Sequence, residues 1–326
     1  MIKLSPVVDD RLCIIYIAQT FARWHDGVAR QDWADYWLQK YGNLTNQEIS
    51  AAEILREILH PKGCVIIRES AKGNPELDDD IIKAFSVLTP YSERIYLDEK
   101  ASLIQWADRI VNHPPDYFAQ MWKGLDTFFG IKQDYDLRVY LLPSPTKSCC
   151  GNGDMFVEEG ATTLGCSGMI DEEGVFLTLL HEAAHSVHQR IVLNSLVDEV
   201  LNTSYGQNIL GMFRESPVGK LGGGLRSYLG ELVIHSLVPH GALRELCGLP
   251  SSDDYWKSVI ENAQKLIRTP ITGWGDIYGV WVMNACAEMV PFGREYVAQQ
   301  KQLDETFVYA TLNAFERIYL RWQKES

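Results

Sequence analysis

The chain has 326 residues, of which 46% are hydrophobic and 22% are charged. At roughly 150 residues to a domain, this length predicts one large domain or two joined ones, and the composition excludes disordered and fibrous proteins. The 43 acidic and 30 basic residues leave a net charge of −13. A chain with this charge is repelled by nucleic-acid phosphates and by anionic membranes, so we expect neither as a partner.

The cysteines and the N-terminal residues favour the cytoplasm. The seven cysteines include no C-x-x-C pair, and a chain of this size needs no disulfides to fold. Asp9 and Asp10 interrupt the first apolar run before it reaches the length of a signal peptide. No uncharged apolar stretch approaches the roughly 20 residues that span a bilayer.

Residues 1–132 have the apolar periodicity of helices. The pattern predicts two or three helices between residues 7 and 60, followed by helices over 77–88, 100–111 and 117–129. We expect the last of these to end at Gly130, because glycine adopts the left-handed conformation that closes many helices. The short apolar run at Cys64–Ile67 is ambiguous between strand and loop.

Residues 133–205 change in character and predict a small mixed sheet followed by a long helix. The predicted strands are Asp136–Leu142, Met155–Glu158 and Ala161–Ser167. The helix is expected over Val175–Val192, behind three acidic residues at 171–173 whose charges suit the positive end of the helix dipole.

Residues 206–326 again favour helices. The stretch 202–224 is rich in Gly, Ser and Asn and predicts a long loop. Helices are expected from Leu225 onward and over 253–267, 274–289 and 303–322. The predicted class is therefore α+β: mostly helical, with a small mixed sheet beside one helix that carries the main motif.

That motif is H-E-A-A-H at residues 181–185. Four residues make about one helical turn, so His181 and His185 project from one face and could bind one Zn²⁺. Glu182 lies about 100° around the helix, where it could hydrogen-bond a water on the metal and deprotonate it as general base. The uncharged flanking residues predict burial, where these polar groups would be costly without partners.

The stretch Thr178–Val187 resembles the extended H-E-x-x-H pattern of the zincin metallopeptidases. The resemblance implies a zinc-dependent peptidase in which an edge strand preceding the helix pairs with an extended peptide substrate. Gly160–Gly168 is placed where that strand is expected. In the gluzincin subgroup, the third zinc ligand is a glutamate from a later helix, and a Tyr or His from a downstream helix often stabilises the oxyanion.

A third protein ligand would leave the fourth zinc position to water. The spacing H-E-x-x-H-x-x-G-x-x-H is not matched after His185. Glu199 would lie about 21 Å along a continuous helix and is too distant. Glu231 fits better, because it interrupts an otherwise apolar helix in which an unpaired carboxylate is unfavourable. Glu215 is the reserve candidate.

Four other side chains are candidates for supporting roles. Three ligands from one helix would not converge on a tetrahedral ion, so His188 is predicted to support the ligands or to cap the helix. For the oxyanion donor we favour Tyr278, with Tyr228 and His235 as alternatives.

The sequence therefore predicts a zinc metallopeptidase of the gluzincin type, with a peptide or protein as substrate. His181, His185 and Glu231 would hold the metal, and Glu182 and Tyr278 would be catalytic. One alternative is a catalytically silent zinc-binding scaffold or partner-binding protein, and another is a hydrolase of a non-peptide amide. The intact Glu182 favours catalysis, since a structural site has no need of a base.

Overall fold

The computed structural model describes residues 2–23, 31–62, 79–145, 150–152, 160–169, 171–220, 224–267 and 277–325. Helices predominate in these residues and are accompanied by one small sheet, so the predicted α+β class is confirmed. The chain forms two compact units. The first unit comprises Ile2–Pro115 and Asp134–Ser186, and the second comprises Asp116–Gln133 and Val187–Ser326.

The helices predicted before residue 60 are present in the first unit. They are α1 (Asp10–Ala22), α2 (Gln31–Tyr41) and α3 (Asn46–Lys62). The side chain of Asp9 accepts a hydrogen bond from the Leu12 N–H and caps α1, as an N-terminal aspartate commonly does. On α2 the indoles of Trp33 and Trp37 pack edge to face in the core.

One long helix, α4 (Asp79–Asn112), replaces the two helices expected over 77–88 and 100–111. Pro90, which usually interrupts a helix, lies inside α4 on its exposed side. The buried face continues past this proline through Tyr91 and Ile95, and the packing of that face keeps the helix intact. The next helix, α5 (Asp116–Phe129), ends at Gly130 with φ +69°, as predicted.

The sheet has four strands in the order β1–β2–β4–β3. They are β1 (Ile2–Val7), β2 (Tyr135–Leu142), β3 (Cys150–Asn152) and β4 (Ala161–Gly165). Strand β1 is parallel to β2, β2 is parallel to β4, and β3 is antiparallel to β4. The predicted mixed sheet is thus confirmed, with β2 and β4 close to their expected positions.

Strand β1 was not expected from the sequence. It forms the outer edge of the sheet beside β2, where Pro6 needs no N–H partner on the open side. Asp136 of β2 accepts hydrogen bonds from Lys3 and Ser5. The runs Cys64–Ile67 and Met155–Glu158 lie outside the described residues.

The helix that carries H-E-A-A-H is not uniformly α-helical. Helix α6 (Glu172–Ala184) passes into a first π-helix (His185–Leu193) and then into α7 (Asn194–Leu201). The change from the first unit to the second falls inside the π-helix, after Ser186. The expected single α-helix over 175–192 is therefore wrong from His185 onward.

The long loop expected over 202–224 is also wrong, because most of this stretch is helical. Helix α8 (Ser204–Glu215) is capped by Thr203, whose side chain accepts from the Gly206 N–H. A short helix, α9 (Pro217–Lys220), follows, with a similar bond from the Gly219 N–H to Ser216. Thr203 and Ser216, which lie in the predicted loop, therefore cap helices.

In the rest of the second unit the helices predicted over 253–267 and 303–322 are present, whereas the helix predicted over 274–289 is a π-helix followed by an α-helix that extends to Ala298. The further elements of this unit are α10 (Leu225–Leu237), α11 (Leu243–Leu246), α12 (Asp253–Leu266), a second π-helix (Tyr278–Met283), α13 (Asn284–Ala298) and α14 (Glu305–Glu325). An aromatic core that includes Tyr228, Trp281 and Phe315 joins α10, the second π-helix and α14. In the described parts of the chain, no helix is both long and apolar enough to cross a membrane.

Two glycines of α8 give a matched test of this packing. A Cβ atom at Gly206 would lie 2.3 Å from the Val200 carbonyl oxygen, whereas one at Gly211 meets nothing within 4 Å. We expect Gly206→Ala to lower the free energy of unfolding by about 2 kcal/mol through overpacking. Gly211→Ala should raise it by up to about 1 kcal/mol, because alanine has the higher helix propensity. Urea denaturation of both variants measures the difference, and equal effects would contradict the described course of residues 200–211.

Candidate functional site

The two histidines of the motif meet at the end of α6. The Nε2 atoms of His181 and His185 are 3.0 Å apart, and their rings lie nearly perpendicular with centroids separated by 4.6 Å. The four-residue spacing thus places both imidazoles on one face, as predicted. When two imidazole nitrogens bind one tetrahedrally coordinated zinc ion with Zn–N bonds of 2.0–2.1 Å, the two nitrogens lie about 3.3 Å apart. The observed separation of 3.0 Å is close to that value and also matches an N–H···N hydrogen bond between the two rings.

Glu182 lies between these histidines in the sequence and is buried in α6. Only 9% of Glu182 is exposed, and the neighbouring Leu179, Leu180 and Ala183 are completely buried. A carboxylate in such surroundings is costly unless a proton, a cation or hydrogen-bond donors compensate its charge. The burial predicted from the apolar flanks of the motif is therefore confirmed.

A hydrogen bond ties this helix to the sheet. The hydroxyl of Ser186, one residue past the motif, donates to the Ala161 carbonyl oxygen of β4 at 2.8 Å. The same hydroxyl lies 3.1 Å from the carbonyl oxygen of Glu182. Ser186 thus connects the site helix and β4 directly, a role that nothing in the sequence pattern had indicated.

Strand β4 does not have the open edge that the zincin resemblance implied for Gly160–Gly168. Its residues pair with β2 on one side, and Thr163–Gly165 also pair with β3 on the other. The backbone groups of Thr163–Gly165 are therefore within the sheet, where an extended peptide could not be added. The expectation of an edge strand is wrong for these residues.

His188 belongs to the packing of the second unit. Its ring lies between Trp122 and Phe129 of α5, with centroid separations of 4.6 and 5.1 Å. Its Nε2 lies 2.9 Å from a carboxylate oxygen of Asp126, so these contacts of His188 are all with α5. Burial lowers the pKa of His188, although hydrogen bonding to Asp126 acts in the opposite direction.

In the second unit, Glu231, His235 and Tyr278 form a cluster. Glu231 and His235 lie one turn apart on α10, and Tyr278 begins the second π-helix. The Tyr278 hydroxyl lies 2.7 Å from His235 Nε2 and 3.5 Å from a carboxylate oxygen of Glu231. The third side of this triangle, from His235 Nε2 to the same Glu231 oxygen, is also 3.5 Å. Tyr278 and His235, considered as alternative oxyanion donors, are therefore hydrogen-bonded to each other.

Tyr228 and the reserve ligand Glu215 are each hydrogen-bonded to another residue. Tyr228 is therefore excluded as the oxyanion donor. Tyr228 is 4% exposed and donates its hydroxyl to the Trp281 carbonyl oxygen. Burial raises its pKa well above the usual value, so Tyr228 is a neutral core residue. Glu215 accepts a hydrogen bond from Tyr319 at 2.8 Å, and Glu199 is exposed on α7.

Four of the described cysteines, Cys13, Cys166, Cys247 and Cys286, form no disulfide. Cys286 of α13 is 3.9 Å from the backbone oxygen of Glu231. Burial, and secondly the charge of Glu231, raise the pKa of this thiol well above its usual value. Cys286 therefore packs beside the cluster as a neutral thiol.

Gly230 allows the neighbouring helices to approach closely behind Glu231. A Cβ atom at this position would lie 2.3 Å from the side-chain amide of Gln189 in the first π-helix. The packing of α10 against residues 187–193 thus depends on a glycine adjacent to the predicted third ligand. The only sequence signal for this close packing was a single glycine inside a predicted helix.

No protein-family model matches the chain, and neither a curated protein nor a solved structure shows significant similarity to it.

The buried His188 gives a prediction for pH dependence. Its pKa is lower in the folded chain than the ordinary value of 6.5, so the unfolded chain binds this proton more readily. The free energy of unfolding should therefore decrease as the pH falls below about 6.5. In His188→Gln, which keeps an N–H donor for Asp126, this pH dependence should be smaller. Urea titrations at several pH values measure both slopes, and identical slopes would contradict the assignment.

Proposed function

We propose that the chain is a zinc-dependent peptidase of the gluzincin type that acts in the cytoplasm. The observation that carries this proposal is the 3.0 Å approach of His181 Nε2 and His185 Nε2 on a buried helix, with Glu182 between them in sequence. Two imidazole nitrogens directed at one point and an adjacent carboxylate are the groups that a hydrolytic zinc site needs. The zincin resemblance of residues 178–187 supports the same proposal.

We assign Glu231 as the third ligand. It is partly exposed, with a side-chain exposure of 31%, and its carboxylate lies within the cluster with His235 and Tyr278. An oxygen donor from a glutamate completes a His₂Glu set, which occurs in catalytic zinc sites that keep one position for water or substrate. The proposal requires the glutamate and the histidine pair to share one ion.

The chain's own residues account for the proton movements of the proposed hydrolysis. Zinc bound at this site would polarise the scissile carbonyl and make a bound water more acidic. Glu182 would accept the proton of the attacking water on its carboxylate and pass it to the leaving amine. Because water attacks directly, no acyl-enzyme forms and no serine or cysteine nucleophile is needed.

Tyr278 would donate its hydroxyl to the developing oxyanion. A preorganised donor stabilises charge that is present only in the transition state, which raises kcat more than it changes KM. Its hydrogen-bond contact with His235 at 2.7 Å holds the hydroxyl in position. His235 would thus act as a positioning residue for Tyr278.

The first prediction from this function concerns Glu182. Glu182→Gln removes the base and keeps a side chain of the same size, so zinc should remain bound at about one ion per chain while peptide hydrolysis falls by at least about 100-fold. Mass spectrometry of the metal content and a peptide-library cleavage assay measure the two quantities.

His185→Ala is the control for that experiment, because it should lose both zinc and hydrolysis. Full activity of Glu182→Gln would exclude this carboxylate as the base. If purified wild-type protein holds no zinc even after zinc is supplied, the peptidase proposal itself is wrong.

The second prediction compares two glutamates of the second unit. Glu231→Gln should weaken zinc binding by about 10- to 100-fold or more, because it removes the charged ligand. Glu215→Gln should leave zinc affinity unchanged, since Glu215 is engaged by Tyr319. Competition with a chromogenic zinc chelator measures both affinities, and unchanged affinity in Glu231→Gln would assign the third ligand elsewhere.

A further inference from the structure

Helix α4 exposes a row of branched aliphatic side chains along one face. Leu97, Ile104 and Val111 are 68%, 53% and 51% exposed. The opposite face of the same helix is buried, with Ile95 and Leu103 completely inaccessible. The helix has 34 residues, which corresponds to a length of about 51 Å. It therefore has one apolar face in the core of the first unit and a second one open to solvent.

The exposed row repeats every seven residues. A seven-residue spacing drifts by only about 20° per repeat on a straight α-helix, so the three side chains stay on one face over two repeats. Apolar side chains with this spacing form the seam of a coiled coil. Three further exposed residues lie on the same face: Arg94 one turn before Leu97, and Ala101 and Asp108 between the members of the row.

The charges at the two ends of this seam are opposite. Arg94 lies near the N-terminal end, the small side chain of Ala101 lies at the centre, and Asp108 lies near the C-terminal end. A parallel copy of the helix would place like charges together at both ends. An antiparallel copy places each arginine beside the partner's aspartate, twice by symmetry.

We propose that α4 is a dimerisation surface whose occupant is the same helix of a second copy of this chain, packed antiparallel. A two-fold axis passes beside Ala101, so that Ala101 packs against its own copy in the partner and Leu97 packs against the partner's Ile104. Val111 lies at the outer end of the apolar row in each copy. The surface is self-complementary, as the contact of a symmetric dimer must be.

The present contacts of the two charged side chains leave them able to pair. Arg94 donates to the Tyr41 carbonyl oxygen at 2.7 Å and lies 4.9 Å from the centre of the Tyr91 ring. Its guanidinium has further N–H donors in the same plane. Asp108 accepts from the side-chain amide of Asn112, which leaves its second carboxylate oxygen as an acceptor.

Sedimentation equilibrium from low to high micromolar concentration tests the dimer. The wild type should show a reversible monomer–dimer equilibrium. Leu97→Lys combined with Ile104→Lys should raise the dissociation constant by at least about 100-fold, because it buries charge at the centre of the contact. Leu246→Lys is the matched control: Leu246 is 64% exposed on α11 of the second unit, and its dissociation constant should equal that of the wild type.

Charge reversal tests the antiparallel orientation. Arg94→Glu and Asp108→Arg should each weaken the dimer by about tenfold, and the two together should restore an affinity within about threefold of the wild type. A monomeric wild type, or a dimer that persists in the variant with Leu97→Lys and Ile104→Lys, would overturn the proposal. Loss of the dimer in the double charge reversal would overturn the antiparallel pairing. Equal thermal unfolding midpoints would show that all variants are folded.

Discussion

The buried approach of His181 to His185 is the contact on which the proposed chemistry depends. Placing two imidazoles and the carboxylate of Glu182 on a helix surrounded by leucine and alanine lowers stability unless these groups find compensating partners. Ser186 anchors the end of this helix to the sheet, because its hydroxyl donates to the Ala161 carbonyl oxygen of β4.

The second unit supplies a different kind of polar group. Glu231, His235 and Tyr278 come from two helices, and their three closest polar atoms lie within 3.5 Å of one another. The surrounding core keeps this arrangement in place: Tyr228 bonds to the Trp281 backbone, and its ring packs against Phe315. A carboxylate, an imidazole and a phenol held together by an aromatic core form a preorganised set of donors and acceptors.

Two of the candidate site residues begin a π-helix. His185 begins the first of these segments and Tyr278 begins the second. The i→i+5 hydrogen bonds of a π-helix are rare in proteins and occur frequently at functional sites, where they change the direction of a side chain relative to the preceding turn. The α-helical periodicity used to place side chains from the sequence therefore ceases to apply after these two residues.

The sequence by itself determined the class of the fold, most of the helices and the residues of H-E-A-A-H. These features follow from local patterns: apolar periodicity, and a four-residue spacing that places His181 and His185 on one helix face. Tertiary structure alone decided that Thr203 caps a helix where a loop was expected, since the same residue types favour both. It also joined α4 across Pro90 and paired His235 with Tyr278, because these outcomes depend on side chains distant in the sequence, whose packing no local pattern encodes.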